Sequence, residues 1–168
     1  VFVKVQDFRP ELAKLRAIKQ PIELELMQKS IDLTAKGLDD VRLKINEYKY
    51  EYEVQAELDY AFRRAGAEHG FDPIIASGAN ATVAHYFQNN APLKKGTFVM
   101  MDVSAKLHGY PADLTRTYAY GKPTKRMIAV HDAVREAQAE IITMIRPGLS
   151  IEEYQTKQNE KKKGRGNI

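Results

Sequence analysis

Cysteine is absent from the 168 residues, which excludes disulfide staples, thiolate catalysis and Cys-type zinc sites. Long apolar runs are missing as well. No uncharged stretch approaches the roughly 20 apolar residues of a membrane helix, and no secretory pattern opens the chain. A basic folded face is lacking too. The net charge is +4, but Lys157, Lys161, Lys162, Lys163 and Arg165 set against Glu160 account for all of it. Nucleic-acid binding wants charge spread over a folded face with aromatics interleaved, so neither a nucleic acid nor a membrane is expected as a partner. The lack of cysteine fits a cytoplasmic protein.

What is present is the composition of a globular chain. Hydrophobic residues make up 43% and charged residues 29%, a balance that permits a packed core and argues against disorder. The length suits one domain with a sizeable core. The chain opens at Val1 rather than Met, which suggests processing or excision from something longer.

The hydrophobic period predicts helices and strands in a definite order. Val1-Phe2-Val3-Lys4-Val5 alternates like a short strand that Pro10 ends. A short helix is expected over 11–19. Pro21 suits a first helical position, and Met27, Ile31, Thr34, Leu38, Val41 and Ile45 recur at helical spacing to give an amphipathic helix over 21–45. A second follows over 51–68, with Val54, Leu58, Ala61, Phe62 and Ala65 on one face and Gly70 as its stop. A strand is read over 71–77, a loop over 78–81 and an extended piece over 84–87, which holds His85. Two longer strands run out to about Tyr120. Thr124 can cap a helix over 125–145, and Ser150-Ile151-Glu152-Glu153 forms a capping box that starts another. That last helix loses its apolar face after Tyr154, so 156–168 reads as a basic, disordered tail.

Two aspartates, Asp102 and Asp113, carry most of the chemistry. Asp102 closes the run Phe98-Val99-Met100-Met101, where burying a lone carboxylate is costly unless a cation or donor stabilises it. A hairpin centred midway between them, near Leu107-His108, would set the two directly opposite, with Cβ atoms about 4.5–5.5 Å apart. Bare carboxylates that close repel, and one takes up a proton. One or two divalent cations resolve the conflict, and a metal pair suits hydrolysis. Oxygen ligands favour manganese, while imidazoles from elsewhere would admit zinc or cobalt. The alternative from the residues alone is that both aspartates merely end strands or cap turns.

The surrounding residues sharpen this. Ser77-Gly78-Ala79-Asn80-Ala81, His85-Tyr86, Gly96 ahead of Met101-Asp102, and Gly109-Tyr110 ahead of Asp113-Leu114-Thr115-Arg116-Thr117 together resemble the aminopeptidase P and prolidase family of pita-bread metallopeptidases. The segment Arg16-Ala17-Ile18-Lys19 with Glu23-Leu24-Glu25 resembles the entry to that family's catalytic domain. The resemblance implies an α+β fold, the first α/β half of a pita-bread domain, with long helices packed on an antiparallel, strongly curved sheet. It assigns 1–10 to a linker or preceding domain and 11–155 to this half-domain. It implies two divalent metals, manganese first, with Asp102 and Asp113 as ligands and His85 assisting substrate binding and proton transfer. Arg116 is a candidate to orient a carboxylate, as outer groups do at metal sites. His69, His108 and His131 are read as structural or solvent-facing. The implied substrate is a peptide with proline at its second position, cleaved before that proline, and a homo-oligomer is allowed.

Two departures qualify the resemblance. Where the family usually has Asp-x-Gly, this chain has Asp102-Val103-Ser104, a change expected to alter at most a bulge. The His and two Glu that complete the family's site from a second half have no counterpart after Asp113. Two carboxylates by themselves should hold metal weakly, so the chain alone is expected to be inactive. The competing reading is a catalytically silent pita-bread module that binds other proteins. Such modules tend to lose the metal aspartates, and both are present here.

Overall fold

The computed structural model describes residues 6–164, with side chains to residue 160. The strand expected over 1–5 lies outside the described residues. The chain divides into two compact units, one ending at Gly121 and one beginning at Lys122.

In the first unit, α1 spans Arg9–Ala17, α2 Pro21–Lys44 and α3 Glu51–Arg64. Pro21 and a capping box start α2: the Gln20 amide donates to Glu23 at 2.6 Å. Its buried stripe is Ser30, Thr34, Gly37, Leu38 and Val41, whereas Ile31, expected on that face, is 38% exposed. The reason is that Ser30 and Thr34 take the inward positions, where they meet hairpin backbone. Ser30 Oγ donates to the Tyr110 carbonyl at 2.7 Å and accepts from the Leu107 amide at 3.2 Å. Thr34 Oγ1 accepts from the Ala105 amide at 3.0 Å. Hydroxyls suit that surface because buried backbone groups need partners.

Helix α3 stops before the expected boundary, at Arg64. Gly66 takes the positive φ of 76° that follows, a conformation glycine adopts without strain. Gly70 is therefore not the stop. A Cβ there would lie 2.3 Å from Ser104 Oγ and 2.8 Å from Pro111 Cβ, so its role is close approach of two segments.

Four strands follow: β1 Glu68–His69, β2 Ile74–Ser77, β3 Thr97–Leu107 and β4 Tyr110–Tyr120. The strand expected from 71 begins at Ile74. The piece expected as extended over 84–87 forms no strand; His85 has a positive φ of 54° there, which breaks extended pairing. All pairings are antiparallel. β4 occupies one edge of β3 along its whole length, so β1 and β2 share the other edge end to end.

The sheet is not strongly curled, which corrects the expected strong curvature. It is only three rows wide, and its longest ladder runs in unbroken register from Thr97↔Tyr120 to Leu107↔Tyr110. Strong curvature wants bulges or many rows to accumulate twist, and this sheet has neither.

One face of β3 builds the core. Val99, Met101, Val103 and Ala105 are each 0% exposed and meet Leu38, Val41, Val54, Leu58 and Phe62 from α2 and α3. The opposite face carries Phe98, Met100, Asp102 and Ser104, by the alternation of strand side chains.

The second unit holds α4 Lys125–Thr143 and α5 Ile151–Gly164. Thr124 caps α4, accepting the Met127 amide at 3.2 Å. Ser150 likewise accepts the Glu153 amide at 3.0 Å. The Glu153 carboxylate does not reach back; it pairs with Arg146 at 2.9 Å and Lys157 at 2.7 Å. Helix α5 thus enters the segment expected as tail. Among the described residues, no helix is long and apolar enough to cross a membrane.

Candidate metal and substrate site

The β3–β4 turn sets the relation between the two aspartates. It is a two-residue turn of His108 (φ 50°) and Gly109 (φ 88°), and positive φ at both central positions is the type I′ geometry that matches strand twist. The turn lies one residue later than the midpoint expected from sequence. Asp102 consequently faces Thr115, and Asp113 faces Ser104. The expected direct opposition of the aspartates is corrected to a diagonal one, with Cα atoms about 7–8 Å apart and Cβ atoms somewhat closer. A shift of two positions between facing residues keeps both carboxylates on the same face.

That face is opposite the core, so Asp102 is half-buried rather than deep. Its carboxylate accepts the Thr115 hydroxyl at 2.7 Å. Asp113 is exposed overall, yet partial loss of solvent, the Asp102 charge and hydrogen bonding with Asp102 push its pKa above the ordinary 3.8. A raised carboxyl pKa means the ionised form is disfavoured here, so ionising Asp113 opposes folding at neutral pH. Asp113→Asn should therefore raise the stability of the metal-free chain by about 0.2–1 kcal/mol, the scale of an unfavourable cross-strand charge pair reduced by solvent screening. A lower urea midpoint for Asp113→Asn in EDTA would show that no such conflict exists.

Ser104 departs from the family's glycine without a bulge, since the register runs unbroken through Asp102, Val103 and Ser104. Its side chain fits because Gly70 has no Cβ. Ser104 Oγ is buried on the aspartate face and has no hydrogen-bond partner.

Arg116 lies elsewhere. It faces Met101 across the ladder, which places it on the opposite face from both aspartates, and its guanidinium donates to the Thr115 carbonyl at 2.8 Å. Thr115, not Arg116, supplies the hydroxyl at Asp102. A spacing argument cannot separate neighbours in a Thr-Arg-Thr run without the ladder register.

His85 is exposed, stacks on Phe87 with ring centroids 5.9 Å apart, and holds its backbone in the left-handed region. Such strain in a residue other than glycine persists only where surroundings enforce it. The neighbouring Tyr86 provides that enforcement. It is 8% exposed and packs with Ile74, Ala76 and Met100. Ile74 pairs with Asp102 and Ala76 with Met100, so this cluster lies on the aspartate face. The structure thus brings the His85 loop onto the same side of the sheet as Asp102 and Asp113. His69 instead meets the Asp59 carboxylate at 2.6 Å, and His108 serves the turn.

Glu51 was not expected. It is 0% exposed at the first turn of α3, and five donors converge on it. Oε1 accepts from the Ser77 amide at 2.8 Å, the Ser77 hydroxyl at 2.7 Å and Asn80 Nδ2 at 3.1 Å. Oε2 accepts from the Tyr86 hydroxyl at 2.8 Å and the Ala91 amide at 3.0 Å. Burial alone would raise its pKa, but these bonds outweigh that and hold it below the ordinary 4.5. In sequence Glu51 looks like an acidic residue favouring a helix start. Its signal was indirect, in the Ser77, Asn80 and Tyr86 motifs.

Among the described residues no cluster of three or more His, Cys, Asp or Glu could hold a metal. Two carboxylates in mutual conflict fit a divalent cation in donor type, while the set is smaller than a full coordination shell.

Comparison with known proteins agrees with this chemistry. The model of metallopeptidase family M24 matches residues 25–160. The chain is 34% identical over 155 residues to the mitochondrial intermediate cleaving peptidase 55 of Arabidopsis thaliana, covering 91% of this chain and 31% of that protein. It is 32% identical over 154 residues to the Xaa-Pro aminopeptidase of Haemophilus influenzae, covering 90% of this chain and 36% of that protein. Among solved structures, the X-Pro aminopeptidase of Thermotoga maritima superposes with a TM-score of 0.86 at 26% identity, covering 94% of this chain and 45% of the other. Aminopeptidase P of E. coli gives 0.85 at 29% identity, covering 90% and 35%. The chain therefore spans about a third to under a half of the proteins it matches.

Proposed function

The chain belongs to metallopeptidase family M24, and from that premise we propose that it supplies one side of a dinuclear metal site for hydrolysing the peptide bond before proline. The observation that carries this reading is the pair Asp102 and Asp113 on one sheet face, with the Asp113 carboxyl pushed up by partial burial and by the Asp102 charge. Asp102 and Asp113 would hold divalent metal, manganese first among the candidates. Such ions supply Lewis-acid activation of the scissile carbonyl and of water.

This chain's own residues orient and prepare. Thr115 fixes the Asp102 carboxylate by its 2.7 Å hydrogen bond. His85, exposed in the loop whose Tyr86 packs on the aspartate face, would bind a substrate carbonyl and assist proton transfer. Completion of the site requires ligands beyond these two carboxylates, so the purified chain is expected to bind metal weakly and to lack activity by itself.

Manganese titration followed by thermal melting tests this reading. Wild type should gain about 1.4 kcal/mol when free metal reaches roughly ten times its dissociation constant. The gain should vanish in Asp102→Asn. An equal response in wild type and Asp102→Asn would sink the ligand assignment. Robust hydrolysis of an Xaa-Pro peptide by the wild-type chain, lost in Asp102→Asn, would overturn its inactivity and point to ligands from a second copy.

A further inference from the structure

We propose that Glu51 is a positioning residue for His85, acting through a buried clamp that holds residues 77–91 over the aspartate face. The proposal deepens the reading of His85 as a substrate-side residue and rests on it.

The clamp joins four segments. Glu51 begins α3, Ser77 ends β2, Asn80 lies in the 3-10 turn Gly78–Thr82, and Tyr86 and Ala91 lie in the loop that returns toward β3. Asn80 Nδ2 also donates to the Tyr86 hydroxyl at 3.0 Å, so Tyr86 both receives and gives within the network. A second buried residue fastens the loop again within this span. Asn89 is 3% exposed, accepts the Ile75 amide at 2.8 Å and donates to the Pro73 carbonyl at 2.8 Å. His85 lies between Asn80 and Tyr86, both bonded to Glu51, in a backbone conformation it would not choose freely.

Chemistry requires a carboxylate at position 51. All five partners donate to it, and an ionised carboxylate is an acceptor at both oxygens. Glutamine has the same shape but turns one oxygen into a donor. In either orientation of its amide, an N–H group then faces a backbone amide, Ser77 or Ala91, that cannot reverse its role. A residue needed only to fill space or start a helix would not require two acceptor oxygens. The network spans the Ser77-Asn80 and His85-Tyr86 motifs, for which the metal ligands provide no use.

Two-dimensional NMR of the isotope-labelled full chain tests the clamp, comparing wild type, Glu51→Gln and Tyr86→Phe. Tyr86→Phe keeps the ring that packs on Ile74 and Ala76, so it preserves the fold even if Glu51→Gln unfolds. Val103 and Leu114 amides report the intact hairpin. The expected result is unchanged hairpin resonances, with His85 amide and imidazole resonances shifted or split into several states. Amide exchange at Ala91 should accelerate about tenfold, the scale of one lost hydrogen bond. His85 resonances that superimpose on wild type in Tyr86→Phe would overturn the proposal. Adding manganese to the same samples separates the two readings. Broadening at Asp102 and Asp113 supports the metal site whatever His85 does. Its absence alongside displaced His85 resonances sinks the metal site and leaves the clamp.

Discussion

Phe62→Ala is expected to remove about 3–5 kcal/mol of stability, the range for deleting a fully buried aromatic. Phe62 is 0% exposed and among the largest of the fully buried side chains. It sits where α3 crosses α2 at Gly37. A Cβ on Gly37 would lie 3.1 Å from Phe62 Cε1 and 3.3 Å from Leu58 Cδ2, so the helices meet with no slack. The His69 ring closes another side, edge-on with centroids 5.2 Å apart. A vacancy here has little to collapse into it, which places the cost toward the upper part of the range. Against a total of about 5–15 kcal/mol for an ordinary domain, the urea midpoint should fall by about a quarter or more. Gly37→Ala offers a second reading of the same seam. It should destabilise wild type and be much milder in Phe62→Ala, because the added methyl would enter vacated space; neighbours in contact couple in this way. A loss below about 1 kcal/mol for Phe62→Ala would mean that the seam is not packed as described.

The same seam explains what the sequence makes legible. Leu38, Val41, Val54, Leu58 and Phe62 follow helical periods and all are buried, because side chains facing a continuous apolar surface must repeat with the helix. Ile31 follows the period too and is 38% exposed. There α2 faces backbone amides and carbonyls of the hairpin, and Ser30 and Thr34 take the inward positions to bond them. Hydrophobic patterning cannot anticipate a surface made of amides and carbonyls. The third and fourth helices and the Thr124 cap likewise follow local signals that local chemistry satisfies.

Motif spacing names candidate residues but does not fix how they face one another. Asp102 and Asp113 lie on one sheet face, and Tyr86 next to His85 packs on that same side. Their relation depends on a turn, and a shift of one residue in its centre moves the facing residue by two. His108-Gly109 gives the register its hand through two positive φ angles, a property of backbone sterics that motif spacing does not encode. Arg116 and Thr115 exchange roles for the same reason. The sheet's shape was also beyond reach, since curvature depends on row number and bulges, which become visible only when β1 and β2 are found sharing one edge of β3.

Glu51 carries the second large effect, and acid exposes it. Glu51→Leu would strand five donors around an apolar side chain; some would reach water, and the remaining loss is about 3 kcal/mol or more. The charge of Glu51 gives this a pH signature. Its folded pKa lies below the ordinary 4.5, so the native state binds the proton less readily than the unfolded chain. The stabilisation is fully present above that ordinary value and is lost as pH falls through the lower, folded value. Asp113 runs the other way: its folded pKa is raised above 3.8, and acidification relieves its conflict with Asp102. Absolute acid stability mixes the two, and the Glu51 contribution emerges only as a difference. Urea midpoints for wild type and Glu51→Gln, measured from neutral pH down to pH 3, should converge below about 4.5 as the wild-type carboxylate takes up its proton. Parallel curves across that interval would show that the buried carboxylate is not held ionised by its five donors.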